Sequence, residues 1–273
     1  MKIAILGCGH IGQAVLHGVL RAGIARKGEL RVTTQHPATA AKLAATLGVA
    51  SGIDNSAAVA GCGLVIVATK PPQVLPVLRA CSAALERGAV VVSLAAGVNL
   101  AAIEAVLPRA MAVVRAMTNT PALVDQGMTA LAAGRSAKPK DVALVERVFN
   151  SVGATVRVDE RHIDAVTGLS ASGPAFVFMV IESMVDGGVK AGLPREVATL
   201  LAAKTVMGAG AMVLGTGQHP ALLKAGVTTP AGCTIDGLLA LEEGGLRVAM
   251  IKAVVTAARR AGELAAPEPS LKV

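Results

Sequence analysis

Residues 2–6 form an apolar run of strand length that breaks directly into Gly7-Cys8-Gly9-His10-Ile11-Gly12, and residues 13–21 then read as a helix. The alternation repeats down the first half of the chain. Apolar, β-branched runs at 30–34, 64–68, 90–94, 112–117 and 154–157 predict strands, and segments such as 38–47 and 56–60 predict helices between them. Strands that alternate with helices build βαβ units. Residues 1–158 are therefore expected to form an α/β, Rossmann-type doubly wound parallel sheet, with a ligand crevice at the carboxyl ends of its strands.

After Val158-Asp159-Glu160 the strand signals stop, and Ala, Leu, Val and Met recur at helical spacing, as in the stripe Leu246, Met250, Val254. Residues 159–273 are expected to be an all-α domain. Its small residues, among them Ala202, Ala203, Gly208, Gly210 and Ala211, allow helices to approach closely. That suits packing against a second subunit, and it equally suits a helical core within one chain. The 267–273 tail reads as disordered.

Composition narrows the classes. At 273 residues the chain needs no covalent staple, and Cys8, Cys62, Cys81 and Cys233 show neither CxxC spacing nor a Cys/His cluster for a metal. They read as reduced thiols of a cytoplasmic protein. Mean hydropathy is +0.62, yet long uncharged stretches such as 205–223 carry Gly, Gln, His and Pro, so no membrane-spanning helix is expected. The N-terminus enters the first strand without the basic and apolar regions of a secretory signal. The net charge of +8 is scattered, and with no Trp or Tyr and three Phe there is almost nothing for bases to stack on. A mild field favouring small anions fits better than nucleic acid.

The glycine turn carries the clearest chemistry. In a strand–turn–helix setting the first glycine permits the tight turn, the second lets backbone approach a pyrophosphate, and the third lets the helix pack on the strand. Gly7, Cys8, Gly9, His10, Ile11 and Gly12 are thus the dinucleotide candidates. Thr34 and Gln35 end the second strand where an NAD site usually places an acid, which favours NADPH while leaving NADH open. Asn55, Ala68, Thr69, Lys70, Pro71, Ala95, Ala96 and Gly97 complete the cofactor side. Lys70 reads equally as an ordinary exposed lysine. The polar run 115–121 looks too rich for buried core, and Asn119 either bonds the nicotinamide or its ribose, or caps a turn.

In the helical half, Val227-Thr228-Thr229-Pro230-Ala231-Gly232-Cys233-Thr234 precedes a helix-like segment. If that helix starts at Thr234, the N–H groups of Gly232, Cys233 and Thr234 converge on a carboxylate, with the Thr229 and Thr234 hydroxyls beside it. A simple N-cap by Thr234 explains the same residues. His162, among Glu160, Arg161 and Asp164, reads as a solvated helix end rather than a base. Lys190 and Lys204 lack the Asn partner of a β-hydroxyacid dehydrogenase relay.

Taken together, these motifs resemble pyrroline-5-carboxylate reductase over essentially the whole chain. The resemblance is carried by Leu169-Ser170-Ala171-Ser172-Gly173-Pro174-Ala175-Phe176, by Gly187-Gly188-Val189-Lys190-Ala191-Gly192-Leu193-Pro194 and by the Val227–Thr234 run, with Met117-Thr118-Asn119-Thr120-Pro121 and Ala95-Ala96-Gly97 on the cofactor side. It implies hydride transfer from NAD(P)H to the C=N carbon of 1-pyrroline-5-carboxylate, giving L-proline as the final step of proline biosynthesis. It further implies an α-helical dimerisation domain, a homodimer or an assembly of dimers, a carboxylate held at Thr229–Thr234, and Thr234 bonding the ring nitrogen. Asn119 is also a candidate for the substrate side. Ala231 departs from the family's usual Gly-Gly pair, and Ala171 stands where Gly is usual. The alternatives are a related NADPH-dependent imine or β-hydroxyacid reductase, and a nucleotide-sensing protein without turnover.

Overall fold

A computed structural model describes residues 1–264; the 267–273 tail lies outside the described residues. Strand β1 (Ile3–Leu6) is buried along its whole length, as an interior parallel strand covered on both faces must be. It is followed by α1 (His10–Arg21), β2 (Leu30–Thr33), α2 (Pro37–Leu47), β3 (Ala50–Gly52), α3 (Asn55–Val59), β4 (Leu64–Val67), α4 (Pro71–Cys81), β5 (Val90–Ser93), α5 (Leu100–Ala105), β6 (Ala112–Met117), β7 (Gly127–Ala133), α6 (Pro139–Phe149) and β8 (Gly153–Arg157). The sheet order is β3-β2-β1-β4-β5-β6-β7-β8. Leu6 pairs with Thr33 on one side and Val67 on the other, and Val67 pairs with Ser93, so four strands end level. The order reverses beside β1, which opens the ligand crevice there.

Successive β1 residues face opposite layers. Ile3 and Ile5 pack with Val15, Leu16, Val19 and Phe149, whereas Ala4 and Leu6 pack with Leu78, Ile103 and Ile163.

The expected parallel sheet needs one correction: β6 and β7 are antiparallel, and β8 runs parallel to β7. Only a single 3-10 turn, Thr120–Val124, occupies the short β6–β7 connection, too short for a parallel crossover. Two strands escape the sequence pattern. β3 is a three-residue edge, and β7 is Gly-Met-Thr-Ala-Leu-Ala-Ala, poor in β-branched residues.

Beyond β8 the described chain is helical: α7 (Ile163–Val166), a π-turn at Thr167–Ala171, α8 (Gly173–Lys190), α9 (Arg195–Thr216), α10 (Pro220–Gly226), α11 (Cys233–Glu243) and α12 (Leu246–Glu263). Two compact units result, Met1–Ser172 with the segment from Thr256, and Gly173–Val255. The contact boundary falls later than residue 158 because Ile163 is buried in the sheet core.

The helical unit buries little by itself. Its apolar cluster is Val185, Ala198 and Ala202, while Leu200, Met207 and Leu214 stand exposed. The stretches Glu160–Lys190 and Arg195–Thr216 are long and apolar enough, by length and composition alone, to cross a membrane. Of the Gly, Gln, His and Pro residues that speak against such a helix in 205–223, Gly208, Gly210 and Gly215 lie within α9, whereas Gly217 caps its end and Gln218, His219 and Pro220 follow it.

Candidate active site

The Gly7–Gly12 turn is built as its spacing requires. Gly7 has φ +83°, and a Cβ there would lie 2.7 Å from Thr69 Cγ2 and 2.9 Å from Thr69 N, so only glycine lets this turn meet the end of β4. A Cβ on Gly12 would lie 3.1 Å from the Gly7 carbonyl oxygen and 3.4 Å from Ile5 Cγ2, which is the close helix–strand approach. One on Gly9 would meet nothing, so Gly9 presents its backbone to open space. Gly9 is also the N-cap of α1, and the helix carries no acid in its first turn. The N–H groups of His10 and Ile11 lack an acceptor one turn back and lie at the positive end of the helix dipole. Free N–H groups at a helix start of this kind can hold a pyrophosphate.

Beside it, Thr69 Oγ1 is buried with no hydrogen-bond partner. An orphaned hydroxyl against the glycine turn is what a nucleotide-binding crevice offers its ligand. Lys70 is the exposed N-cap of α4, Pro71 is its first helical residue, and Lys70 makes no ion pair among the described residues. Ala68 follows β4, with its N–H on the Leu6 carbonyl at 2.8 Å. After β5, Ala95 is buried, Ala96 is half-buried and Gly97 has φ +71°.

Several candidates are committed to the fold. The Cys8 N–H donates to the Thr33 carbonyl at 2.7 Å, and burial pushes its thiol up to about 12. Cys8 therefore shapes the turn, and the N–H groups of His10 and Ile11 are the ones left without a partner. The Thr34 hydroxyl donates to the His36 carbonyl at 2.9 Å, leaving exposed Gln35 as the free polar group of that pair. Asn55 Oδ1 accepts the Thr33 hydroxyl proton at 2.7 Å.

Asn119 is a bracket. Its Oδ1 accepts from Met128 N at 2.9 Å, and its Nδ2 donates to the Ser170 carbonyl at 3.2 Å and approaches Ser170 Oγ at 3.3 Å. It is also the N-cap residue of the Thr120–Val124 turn, with no side-chain capping bond.

The first four residues of the 115–121 run, Arg115 to Thr118, prove to be core, while Asn119 is half-buried and Thr120 exposed. Arg115 is 4% exposed and Thr118 8%, against the expectation of an open cluster. Arg115 pairs with Glu160 and Asp164, and the Thr129 hydroxyl donates to Thr118 Oγ1 at 2.9 Å. Glu160 and Asp164 are functional partners that the sequence expectations do not include. An arginine inside an apolar strand must find a carboxylate, and two acids spaced i, i+4 were the available signal. His162 is exposed in the Glu160–His162 turn.

The remaining candidates lie in the second unit. Gly232 is the N-cap of α11, so the helix starts at Cys233, one residue earlier than expected, and Thr234 is its second residue rather than its cap. The Gly232 N–H donates to the Thr229 carbonyl at 3.0 Å, which removes it from the anion set. The Cys233 and Thr234 N–H groups have no acceptor one turn back. A Cβ on Gly232 would meet Thr229 Oγ1, so any larger residue there requires the Thr229 side chain to turn away. Ala231 takes φ +55°, the conformation its family's glycine would adopt without strain. The Thr228 hydroxyl bonds the Lys224 carbonyl at 2.9 Å, while the Thr229 and Thr234 hydroxyls make no bond among the described residues.

Residues 160–264 match the family model described as pyrroline-5-carboxylate reductase dimerisation, and residues 2–97 match that of an NADP oxidoreductase, coenzyme F420-dependent. A pyrroline-5-carboxylate reductase of Methanosarcina acetivorans is 41% identical over 96% of this chain and 97% of its own. The solved pyrroline-5-carboxylate reductase of Coxiella burnetii superposes with TM-score 0.90 at 33% identity, covering 97% of this chain and 99% of that one. The Plasmodium falciparum pyrroline carboxylate reductase with NADP bound gives 0.88 at 28% identity, over 97% and 98%. With relatives this similar along nearly its whole length, the chain belongs to the pyrroline-5-carboxylate reductase family.

Proposed function

We propose that this chain reduces the C=N bond of 1-pyrroline-5-carboxylate to give L-proline, with NADPH as the preferred donor. The observation that carries the reading is the Thr229–Thr234 loop at the start of α11, with two helix N–H groups and two hydroxyls free, inside the segment that matches the dimerisation model. Cys233 N–H and Thr234 N–H hold the substrate carboxylate, and the Thr234 hydroxyl bonds the ring nitrogen. Thr229 Oγ1 supplies a further polar contact. On the cofactor side, His10 and Ile11 N–H groups hold the pyrophosphate, Thr69 Oγ1 bonds the nucleotide, and Gln35 meets the 2′-phosphate. When bound, NADPH supplies the hydride.

Little further chemistry is required. An imine nitrogen takes its proton from solvent, so what the protein contributes is alignment, a proximity effect. Asn119 supports this indirectly, by holding the end of β6 against Ser170.

The functional boundary is placed after residue 158, with 159–273 as the substrate and dimerisation domain. The exposed apolar faces of α8 and α9 are covered by a second copy of the chain in a homodimer, which assembles further into a set of dimers in the cytoplasm. The match to a dimerisation model over both helices supports a protein partner rather than lipid.

The test is the loss of NADPH absorbance by purified protein on addition of pyrroline-5-carboxylate, repeated with NADH and with a β-hydroxyacid/NADP pair. Turnover is expected with the imine, faster with NADPH, and Thr234→Ala lowers kcat/KM by roughly tenfold to a hundredfold, the effect of one lost hydrogen bond in a desolvated site. NADPH binding without imine reduction contradicts the reading.

A further inference from the structure

The segment that follows β5 is held at three points. At its start, Ser93 Oγ accepts the Ala95 N–H at 3.4 Å. At its middle, Gly97 lies so close to the last described residue that a Cβ on it would fall 2.9 Å from Leu264 Cβ and 3.0 Å from the Leu264 carbonyl oxygen. At its end, Glu160 Oε1 accepts the N–H of Leu100, the first residue of α5, at 2.6 Å. That same oxygen takes Arg115 Nη1 at 3.3 Å, and Arg115 Nη2 stands 3.6 Å from Asp164 Oδ1.

Arg115 is badly provided for as a stabilising group. It pairs in register with Ser93 across β5 and β6, it is almost wholly buried, and its Nε and Nη2 have no hydrogen-bond partner. A buried charge with unpaired donors is a net burden on the fold, and ion pairs of this kind rarely outperform an apolar replacement. What the cluster does instead is place Glu160, and Glu160 places the start of α5. A charge-assisted bond to a helix N–H is short and directional, so it sets position well.

We infer that Arg115 and Glu160 are positioning residues that fix the Ala95-Ala96-Gly97 segment, and with it the nicotinamide half of the cofactor, for hydride transfer. The inference rests on the NADPH site proposed above. Neither side chain touches the reacting atoms; Arg115 acts through Glu160, and Glu160 acts through the Leu100 amide.

The experiment measures NADPH affinity by fluorescence titration and steady-state kinetics for four variants of the full chain: Glu160→Gln, Glu160→Ala, Arg115→Lys and Arg115→Met. Glu160→Gln keeps an acceptor for Leu100 and loses the charge. Glu160→Ala and Arg115→Met are expected to raise the NADPH Kd and KM by about tenfold and to lower kcat, with KM for pyrroline-5-carboxylate changed by less than about twofold. Arg115→Lys and Glu160→Gln are expected to recover part of the loss, in a graded order that a merely structural lesion would not produce. If Arg115→Met does not fold, the two Glu160 variants decide. Folded variants with lowered unfolding midpoints and unchanged NADPH affinity would overturn the positioning role. A wild-type chain that does not bind NADPH would overturn the site reading beneath it.

Discussion

The Asn119 amide donates to the Ser170 carbonyl at 3.2 Å, which ties the end of β6 to the π-turn that precedes α8. The same side chain accepts from Met128 N, so one residue joins three segments. Asn119→Ala leaves half-buried backbone groups unpaired and is expected to cost about 1–3 kcal/mol of stability. Urea unfolding of the variant measures this. A midpoint unchanged from wild type would show that solvent replaces the bracket.

The glycines of the first turn separate fold from binding. Gly7→Ala is strained twice, by φ +83° and by the Thr69 backbone, and is expected to lose stability by roughly 1–3 kcal/mol. Gly9→Ala meets no atom, so its unfolding midpoint is expected to stay near wild type while NADPH affinity falls. Paired melting curves and NADPH titrations distinguish the two. Equal effects of both substitutions on stability and binding would contradict this division.

Ala231 carries a left-handed backbone at φ +55°. Ala231→Gly relieves a conformation that costs an alanine about 1–2 kcal/mol, partly offset by the greater freedom of glycine in the unfolded chain. The net gain expected is under about 1 kcal/mol. A higher melting temperature for Ala231→Gly checks it, and a lower one would mean that the alanine methyl is packed rather than tolerated.

Burial raises the Cys8 thiol from its ordinary 9.0 to about 12, and it raises Cys62 and Cys81 as well. Between those two values the unfolded chain loses its thiol proton and the folded chain keeps it. Stability is therefore fully present below about pH 9 and is lost as pH rises toward 12, at up to about 1.4 kcal/mol per pH unit for Cys8. In Cys8→Ala the decline between about pH 9 and about pH 11 is expected to be shallower, as read by chemical unfolding at each pH.

Much of this was legible in the sequence because the informative residues act locally. Gly7 and Gly12 do what their spacing announced, since a tight turn and a close helix approach depend on neighbours in the chain. The α11 start lies one residue ahead of Thr234, and its cap, Gly232, lies two residues ahead of the Thr234 cap that the sequence also allows. The antiparallel β7 was invisible because its Ala-rich segment gains strand structure only from β6 and β8. The least legible part was the partnering of polar groups at long range. Arg115 reaches Glu160 across 45 positions and Asn119 reaches Ser170 across 51, and no local pattern records either. Thr34 and Cys8 looked free in sequence for the converse reason: the backbone groups that engage them come into reach only once the turn is folded.

The most direct test of imine reduction by this chain follows the hydride itself. Purified protein is supplied with NADPH deuterated at both C4 positions of the nicotinamide and with pyrroline-5-carboxylate, and the product is read by mass spectrometry and NMR. Proline carrying one deuterium at C5 is expected, in equal amount to the NADPH consumed. Proline without deuterium, or NADPH oxidised without proline, would contradict it.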